Sequence, residues 1–335
     1  MTDNQNTKQT LSCKMRTNLT VILSFLEKCW QKLELSPSKG CPVTYSQASM
    51  VLFFMHMMLK RIHTFKGMEK YASHYYASYG WQQHPSRTTI KRRFLALPSV
   101  LHLLLPQIAN ECALVNHSVF GFSWAFVDKS IFRAMGGIWH KIHIKSGIIP
   151  HSSIDTEASW GYSPYHKWRF GYGLHLIVNQ YRFPIVALVT TAKIKDYTVV
   201  EKLLTPILTK IGVLVGDAGY FALRYLKRIT NLGVFLYTHK SFLDTKTAFK
   251  KYYNQLVQTP QAQSLYRKRK PSVEPVFSII KELFQLKANS PLPFKGLPKV
   301  EAFLLTTVVT VQLMMYLNFT LNKDLAHTDT IINQL

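Results

Sequence analysis

The order of apolar and polar positions changes character near residue 120. Before that point apolar residues recur at helical spacing. Leu19–Leu33 predicts one helix, followed by a break at Pro37, Ser38, Gly40 and Pro42. Ser46–Leu59 predicts a strongly apolar helix and Lys66–Tyr76 a more polar one. Ser86 is placed to cap a further helix that runs to Leu97 and is closed by Pro98.

Beyond residue 120 short apolar runs alternate with helical periods. Phe122–Val127 is an apolar, aromatic run that ends at Asp128. Gly171–Val178 and Pro184–Thr190 read as two strands joined by a hairpin through Gln180, Tyr181 and Arg182. Asp196–Lys210 has helical period, with Asp196 as its cap. Ile211–Val215 is a strand ending at Gly216-Asp217, Ala218–Thr230 a helix, and Val234–Tyr237 another strand. This succession predicts an α/β fold with a mixed sheet flanked by helices. It divides the chain into a mainly helical region, 1–120, and an α/β domain with C-terminal helices, 121–335. Ala302–Leu321 carries no charge and is long enough to cross a membrane. Its Thr306, Thr307, Thr310, Gln312, Asn318 and Thr320 favour a buried helix instead.

Composition adds a direction. The 335 residues are 47% apolar and 17% charged, which excludes wholesale disorder. Lys and Arg number 41 against 17 Asp and Glu, a net charge of +24 that favours a polyanionic partner. The four cysteines, Cys13, Cys29, Cys41 and Cys112, form no CxxC pair, so a disulfide framework or structural zinc site is not expected. No signal-peptide pattern opens the chain, and a cytoplasmic location is expected.

In so acid-poor a chain, carboxylates inside apolar runs need a reason. Asp128 follows Trp-Ala-Phe-Val and Asp217 follows Val-Leu-Val-Gly, each at the end of a strand, where open α/β sheets place their ligand crevice. Glu274 lies in Ser-Val-Glu-Pro-Val-Phe, at the start of a helix that runs to about Leu286. Three such carboxylates suit hard divalent cations, which bind oxygen and can activate a water or a 3′-hydroxyl on a phosphodiester. Singly, each acid also reads as a turn or helix-cap residue. Between Lys240 and Lys299 there are twelve Lys and Arg and only three acids. Tyr266-Arg-Lys-Arg-Lys270 directly precedes the Glu274 helix, and Lys281 follows Glu274 by two helical turns. The other reading of this stretch is a solvated basic loop and an ordinary amphipathic helix.

In the N-terminal region Arg87, Lys91 and Arg92 share one side of a helix whose Ile90, Phe94 and Leu97 form a separate stripe. That pattern suits a DNA-reading helix and equally a scaffold helix with a solvated face. Asp155 and Glu157 follow no apolar strand and are weak metal candidates. Trp139, Trp160 and Trp168 suit packing, with stacking on an unpaired base as the alternative. His140, His143, His151, His166 and His175 lack metal-ligand spacing.

Several segments, in this order, resemble the DDE transposases of bacterial insertion sequences. They are Val127-Asp-Lys-Ser, Arg133-Ala-Met-Gly-Gly, Trp139-His-Lys, Gly147–Gly161, Tyr172-Gly-Leu-His-Leu176, Thr191–Asp196, Val215-Gly-Asp-Ala-Gly-Tyr220 and Ser272–Lys281. The resemblance runs from about Phe126 to Leu317. It implies an RNase H-like core, with Asp128, Asp217 and Glu274 as the metal-binding catalytic acids and Lys281 as a DNA contact. Lys268, Arg269 and Lys270 join it as basic residues beside the glutamate, and Arg87, Lys91 and Arg92 as the candidate reading helix. The implied cofactor is Mg²⁺ or Mn²⁺, as two ions. The implied partners are the terminal repeats of the element and target double-stranded DNA, with a homodimer in the synaptic complex and no membrane. The implied activity is metal-dependent cleavage and strand transfer. Two departures stand out. Tyr266 and Arg269 each fall one place from the family positions upstream of the glutamate, and Pro275 follows Glu274 directly. They leave open a second reading, an inactive transposase-derived DNA-binding protein.

Overall fold

The computed structural model describes residues 20–33, 44–163, 167–286 and 290–332. The expected break at Pro37, Ser38, Gly40 and Pro42, and Leu19, Cys13, Cys41 and His166, lie outside them. The chain forms two compact units. One comprises Met1–Ile108, Ile279–Leu286 and Ala302–Leu335, and the other Ala109–Ser278 and Lys287–Glu301.

The first unit is helical. It contains α1 (20–31), α2 (Gln47–Leu59), α3 (Phe65–Tyr75) and most of α4 (Arg87–Val115). Ser46 caps α2, its hydroxyl accepting from the Ser49 amide at 3.1 Å. Every residue of α2 from Ala48 to Met58 is buried, as expected for a helix apolar on all sides.

The helix that begins at Arg87 does not end at Pro98. It continues to Val115 with Pro98 and Pro106 inside it. Each interior proline removes a backbone bond and costs about 3 kcal/mol. The continuing stripe of Leu97, Leu101, Leu104, Leu105 and Ile108 is fully buried and offsets that cost. The Gln312 side-chain amide also donates to the Leu105 carbonyl at 3.0 Å.

The second unit is the mixed α/β part. After α5 (His117–Phe120) come β1 (Trp124–Arg133), α6 (Lys141–Lys145), β2 (Ser159–Ser163), β3 (Lys167–Val178) and β4 (Pro184–Thr191). Then follow α7 (Val200–Leu204), β5 (Val213–Gly216), α8 (Leu223–Asn231), β6 (Phe235–Thr238) and α9 (Ala248–Val257). The strand order is β2-β3-β1-β5-β6, and β4 also pairs with β3. β2 takes Lys167–Gly171 of β3 and β4 takes Tyr172–Val178, so the two share one edge end to end. β1 pairs antiparallel with β3 and parallel with β5, and β5 is parallel to β6. This is the expected RNase H-like mixed sheet. Asn179 fixes the β3–β4 hairpin, its side-chain oxygen accepting from the Tyr181 and Phe183 amides at 2.9 Å each.

Two more expectations change here. Asp196–Lys210 is not one helix. It breaks into a 3₁₀ turn, α7 and a second 3₁₀ turn around Pro206, and Asp196 makes no cap. Glu274 does not start a helix. It lies inside α10 (Pro260–Leu283), which begins at Pro260, where fixed φ and the missing N–H suit a first turn. The Thr259 hydroxyl caps that turn through the Ala262 amide at 3.2 Å.

α11 (Leu297–Thr320) is long and apolar enough to cross a membrane, yet most of its apolar stretch is buried in the fold. Thr306, Thr307 and Thr310 satisfy their hydroxyls on helix carbonyls. α12 (Asp329–Ile332) closes the described chain.

Candidate active site

Register brings the first two acids together. Trp124, Ala125 and Phe126 of β1 pair with Val213, Leu214 and Val215 of β5. Two further residues along each strand stand Asp128 and Asp217. Asp128 does not end its strand. β1 runs on to Arg133 against β3, and only the pairing with β5 stops before the acid.

The segment Gly216-Asp-Ala-Gly-Tyr220 has a steric logic. A Cβ at Gly216 would lie 2.8–3.1 Å from the Tyr220 side chain. A Cβ at Gly219 would lie 2.7 Å from Asp196 Oδ2 and 3.0 Å from Asp217 Oδ1. Both glycines thus leave room for groups that converge on the site. Asp217 Oδ1 accepts from the Gly219 amide at 2.8 Å. Tyr220 is fully buried, and its hydroxyl has no hydrogen-bond partner among the described residues. Asp196, Asp128 and Asp217 all act on it electrostatically, and burial first, then these charges, hold its phenol far above the usual range.

Asp128 is a costly carboxylate. Burial pushes its pKa up to about 6, the Arg269 guanidinium pulls it down and the Asp217 charge raises it. Its Oδ1 accepts from the Lys129 amide at 2.8 Å, and Arg269 Nη1 donates to its Oδ2 at 2.5 Å.

Asp196 is the acid that sequence reasoning assigned to a helix end. Lys129 Nζ stands 3.1 Å from its Oδ1 and also donates to the Ile194 and Ala192 carbonyls at 2.7 and 3.2 Å. Burial raises the Asp196 carboxyl and Lys129 opposes the shift. The available signal was Lys129 itself, a lone cation one residue after an apolar run. Gly173 clears its path, since a Cβ there would lie 2.8 Å from Lys129 Cε. His175, buried and 3.0 Å from the Thr190 hydroxyl, is pushed down to about 3 by burial and by Lys129, and stays neutral.

Glu274 stands apart. It is exposed, and it stands 3.9 Å from the Lys270 ammonium. Arg269, one residue before Lys270, points instead to Asp128. Lys268 is exposed, with its ammonium 5.6 Å from the centre of the Trp124 ring. Lys281 falls in the segment Ile279–Leu286 of the helical unit. Arg87, Lys91 and Arg92 are exposed on the first turns of α4, while Ile90, Phe94 and Leu97 are buried. Asp155 and Glu157 hold the backbone that leads into α11. Asp155 is buried and accepts from the Tyr172 hydroxyl at 2.8 Å and the Gly296 amide at 3.0 Å, and Glu157 accepts from the Leu297 amide at 2.7 Å.

The donor chemistry of Asp128, Asp217 and Asp196 fits a hard divalent cation, being carboxylate oxygen throughout. Among the described residues, no three His, Cys, Asp or Glu side chains converge closely enough to enclose an ion.

The mixed RNase H-like sheet thus sets Asp128, inside β1, and Asp217, just past β5, each two residues beyond the last pair of adjacent parallel strands. The family model for the transposase DDE domain matches residues 125–311, more than half of the chain, and the chain belongs to that family. No curated protein matches it. A solved structure similar to it is the cryo-EM structure of the piggyBac transposase synaptic complex with hairpin DNA. The identity is 9% and the TM-score 0.42, over 96% of this chain and 78% of that one, a likeness too slight to add to the assignment.

Proposed function

We propose that this protein is the transposase of an insertion sequence, cutting at the ends of the element and joining them to target DNA. The observation that carries the reading is the parallel register of β1 and β5, whose last pair, Phe126 with Val215, lies two residues before Asp128 on one chain segment and Asp217 on the other. Asp128 and Asp217 would hold divalent metal, Mg²⁺ or Mn²⁺ as two ions, with Glu274 as the third acid supplied from α10. Bound there, the metal would polarise the phosphodiester and lower the cost of forming the attacking oxygen. The protein's own part is to fix the carboxylates on rigid strands and surround them with cations that attract phosphate. Lys268, Arg269 and Lys270 supply that attraction near the acids, Lys281 is a further DNA contact, and Arg87, Lys91 and Arg92 contact the terminal repeats. The reaction proceeds in the cytoplasm, at the nucleoid, in a homodimer that brings two ends together.

The second reading, an inactive DNA-binding derivative, is favoured by one observation: Glu274 is exposed and pairs at 3.9 Å with the exposed Lys270. Nicking of a duplex bearing the element's terminal repeats separates the two. Mg²⁺-dependent nicking by the wild type, lost in Asp217→Asn with DNA affinity retained, supports the enzyme. Affinity without nicking in the wild type supports the derivative.

A further inference from the structure

The excursion between β1 and β2, residues 134–158, is built around an unusual surface. Met135, Ile138, Ile142, Ile144, Ile148 and Ile149 are all exposed, Ile142 at 72% and Ile148 at 54%. So dense a group of bare isoleucines marks a surface that something covers. Its shape is fixed from within. The Trp139 indole donates to the Ile148 carbonyl at 2.7 Å, and the Trp160 indole donates to the Trp139 carbonyl at 2.7 Å. Its base is tied down too, with Lys295 donating to the Ser152 carbonyl at 2.8 Å and Asp155 buried beside it.

Charge narrows the occupant. From Lys129 to Ile154 the chain has no acid, and Lys141 and Lys145 flank Ile142 and Ile144 on α6. The Lys141 ammonium sits 3.5 Å from the centre of the half-exposed Trp168 ring. A second copy of this surface would set cation against cation. An anionic membrane would match the charge, but α6 has only five residues, too few to lay an amphipathic face in a lipid surface. A DNA duplex matches both features, since proteins that kink DNA insert apolar side chains between base steps beside basic residues. Residues 134–151 hold no Asn, Gln or Arg, the side chains most used for reading base edges.

We propose that this isoleucine tip is a wedge that enters and bends target duplex, tolerant of sequence but favouring flexible pyrimidine–purine steps. The proposal rests on the transposase reading and deepens it, by assigning the surface that deforms the DNA into which an end is joined.

The test uses the full chain with Ile142→Ser and Ile148→Ser, both exposed changes. Bending is read by energy transfer between dyes at the ends of a short duplex with a central TA step, and affinity by anisotropy on that duplex and on terminal-repeat duplex. The double variant is expected to lose the bend and to weaken binding of the TA duplex about tenfold. Nicking at terminal repeats is expected to stay unchanged. Ile142→Leu should restore most of the bend. Unchanged bending overturns the proposal. So does loss confined to self-association by sedimentation, or to binding of anionic vesicles. A wild type that bends duplex but never nicks would defeat the enzymatic reading alone and leave the wedge standing.

Discussion

Arg269, on α10, donates to Asp128, on β1, at 2.5 Å, across 141 residues of chain. The guanidinium therefore occupies one oxygen of the acid that leads the candidate site, and a divalent cation must compete with it. Replacing Arg269 with Met frees that oxygen. Mn²⁺ affinity measured by calorimetry without DNA is expected to rise about tenfold. Unchanged or weaker affinity would show that the guanidinium does not stand in the cation's place.

The elevated pKa of Asp128 has a signed consequence for stability. The folded state holds this proton more tightly than the unfolded chain, where the carboxyl has its ordinary value of 3.8. The resulting stabilisation is complete below that value and is lost as pH rises through about 6. It amounts to about 3 kcal/mol between those limits. Metal-free urea titrations from pH 4 to pH 7.5 are expected to show this decline, and Asp128→Asn to flatten it. A variant whose profile matches the wild type would assign the slope to other groups.

Asp155 is buried and accepts three hydrogen bonds, from the Tyr172 hydroxyl and the Gly296 and Glu157 amides. Asp155→Ala strands all three donors and is expected to destabilise the fold by about 2–4 kcal/mol, seen as a lower urea midpoint. Asp155→Asn, which keeps one acceptor oxygen, should recover part of this. Were Asp155 a metal ligand instead, the Asn variant would fold normally and lose nicking.

The third acid is decided by a paired comparison. Glu274→Gln removes an exposed carboxylate whose ion pair with Lys270 contributes less than about 1 kcal/mol. Its fold should be unaffected, its DNA affinity kept, and its nicking abolished. Asp196→Asn, which frees Lys129, is expected to lower nicking less. The reverse ranking would make Asp196, already grouped with Asp217 around Gly219, the third acid.

Much of the fold was legible because strands and caps are written locally. The hairpin through Gln180–Arg182, the cap at Ser86, whose hydroxyl accepts from the Thr89 amide, and the run before Asp217 each depend on a few neighbouring residues. Pro98 and Pro275 misled in the same way as each other. A proline's local cost is visible in sequence, while the burial that outweighs it comes from residues far along the chain. The site was half legible. Asp128 and Asp217 stand out as acids after apolar runs, whereas the grouping of Asp196 with Asp217 depends on a loop that returns past Gly219. Arg269 read as one more basic residue in a cluster, and nothing in the local pattern tells it from Lys268 or Lys270.

The shared register of β1 and β5 sets where this chain can tolerate a change of length. The excursions at 134–158 and 192–212 connect strands without fixing the alignment of β1 with β5, so residues can be gained or lost there while the acids stay side by side, whereas the 179–183 hairpin sets the β3–β4 register. Within Val213–Gly216 a single inserted or deleted residue would turn Asp217 to the opposite side of the sheet. Four residues thus form a stretch in which relatives of this chain can change identity but not length.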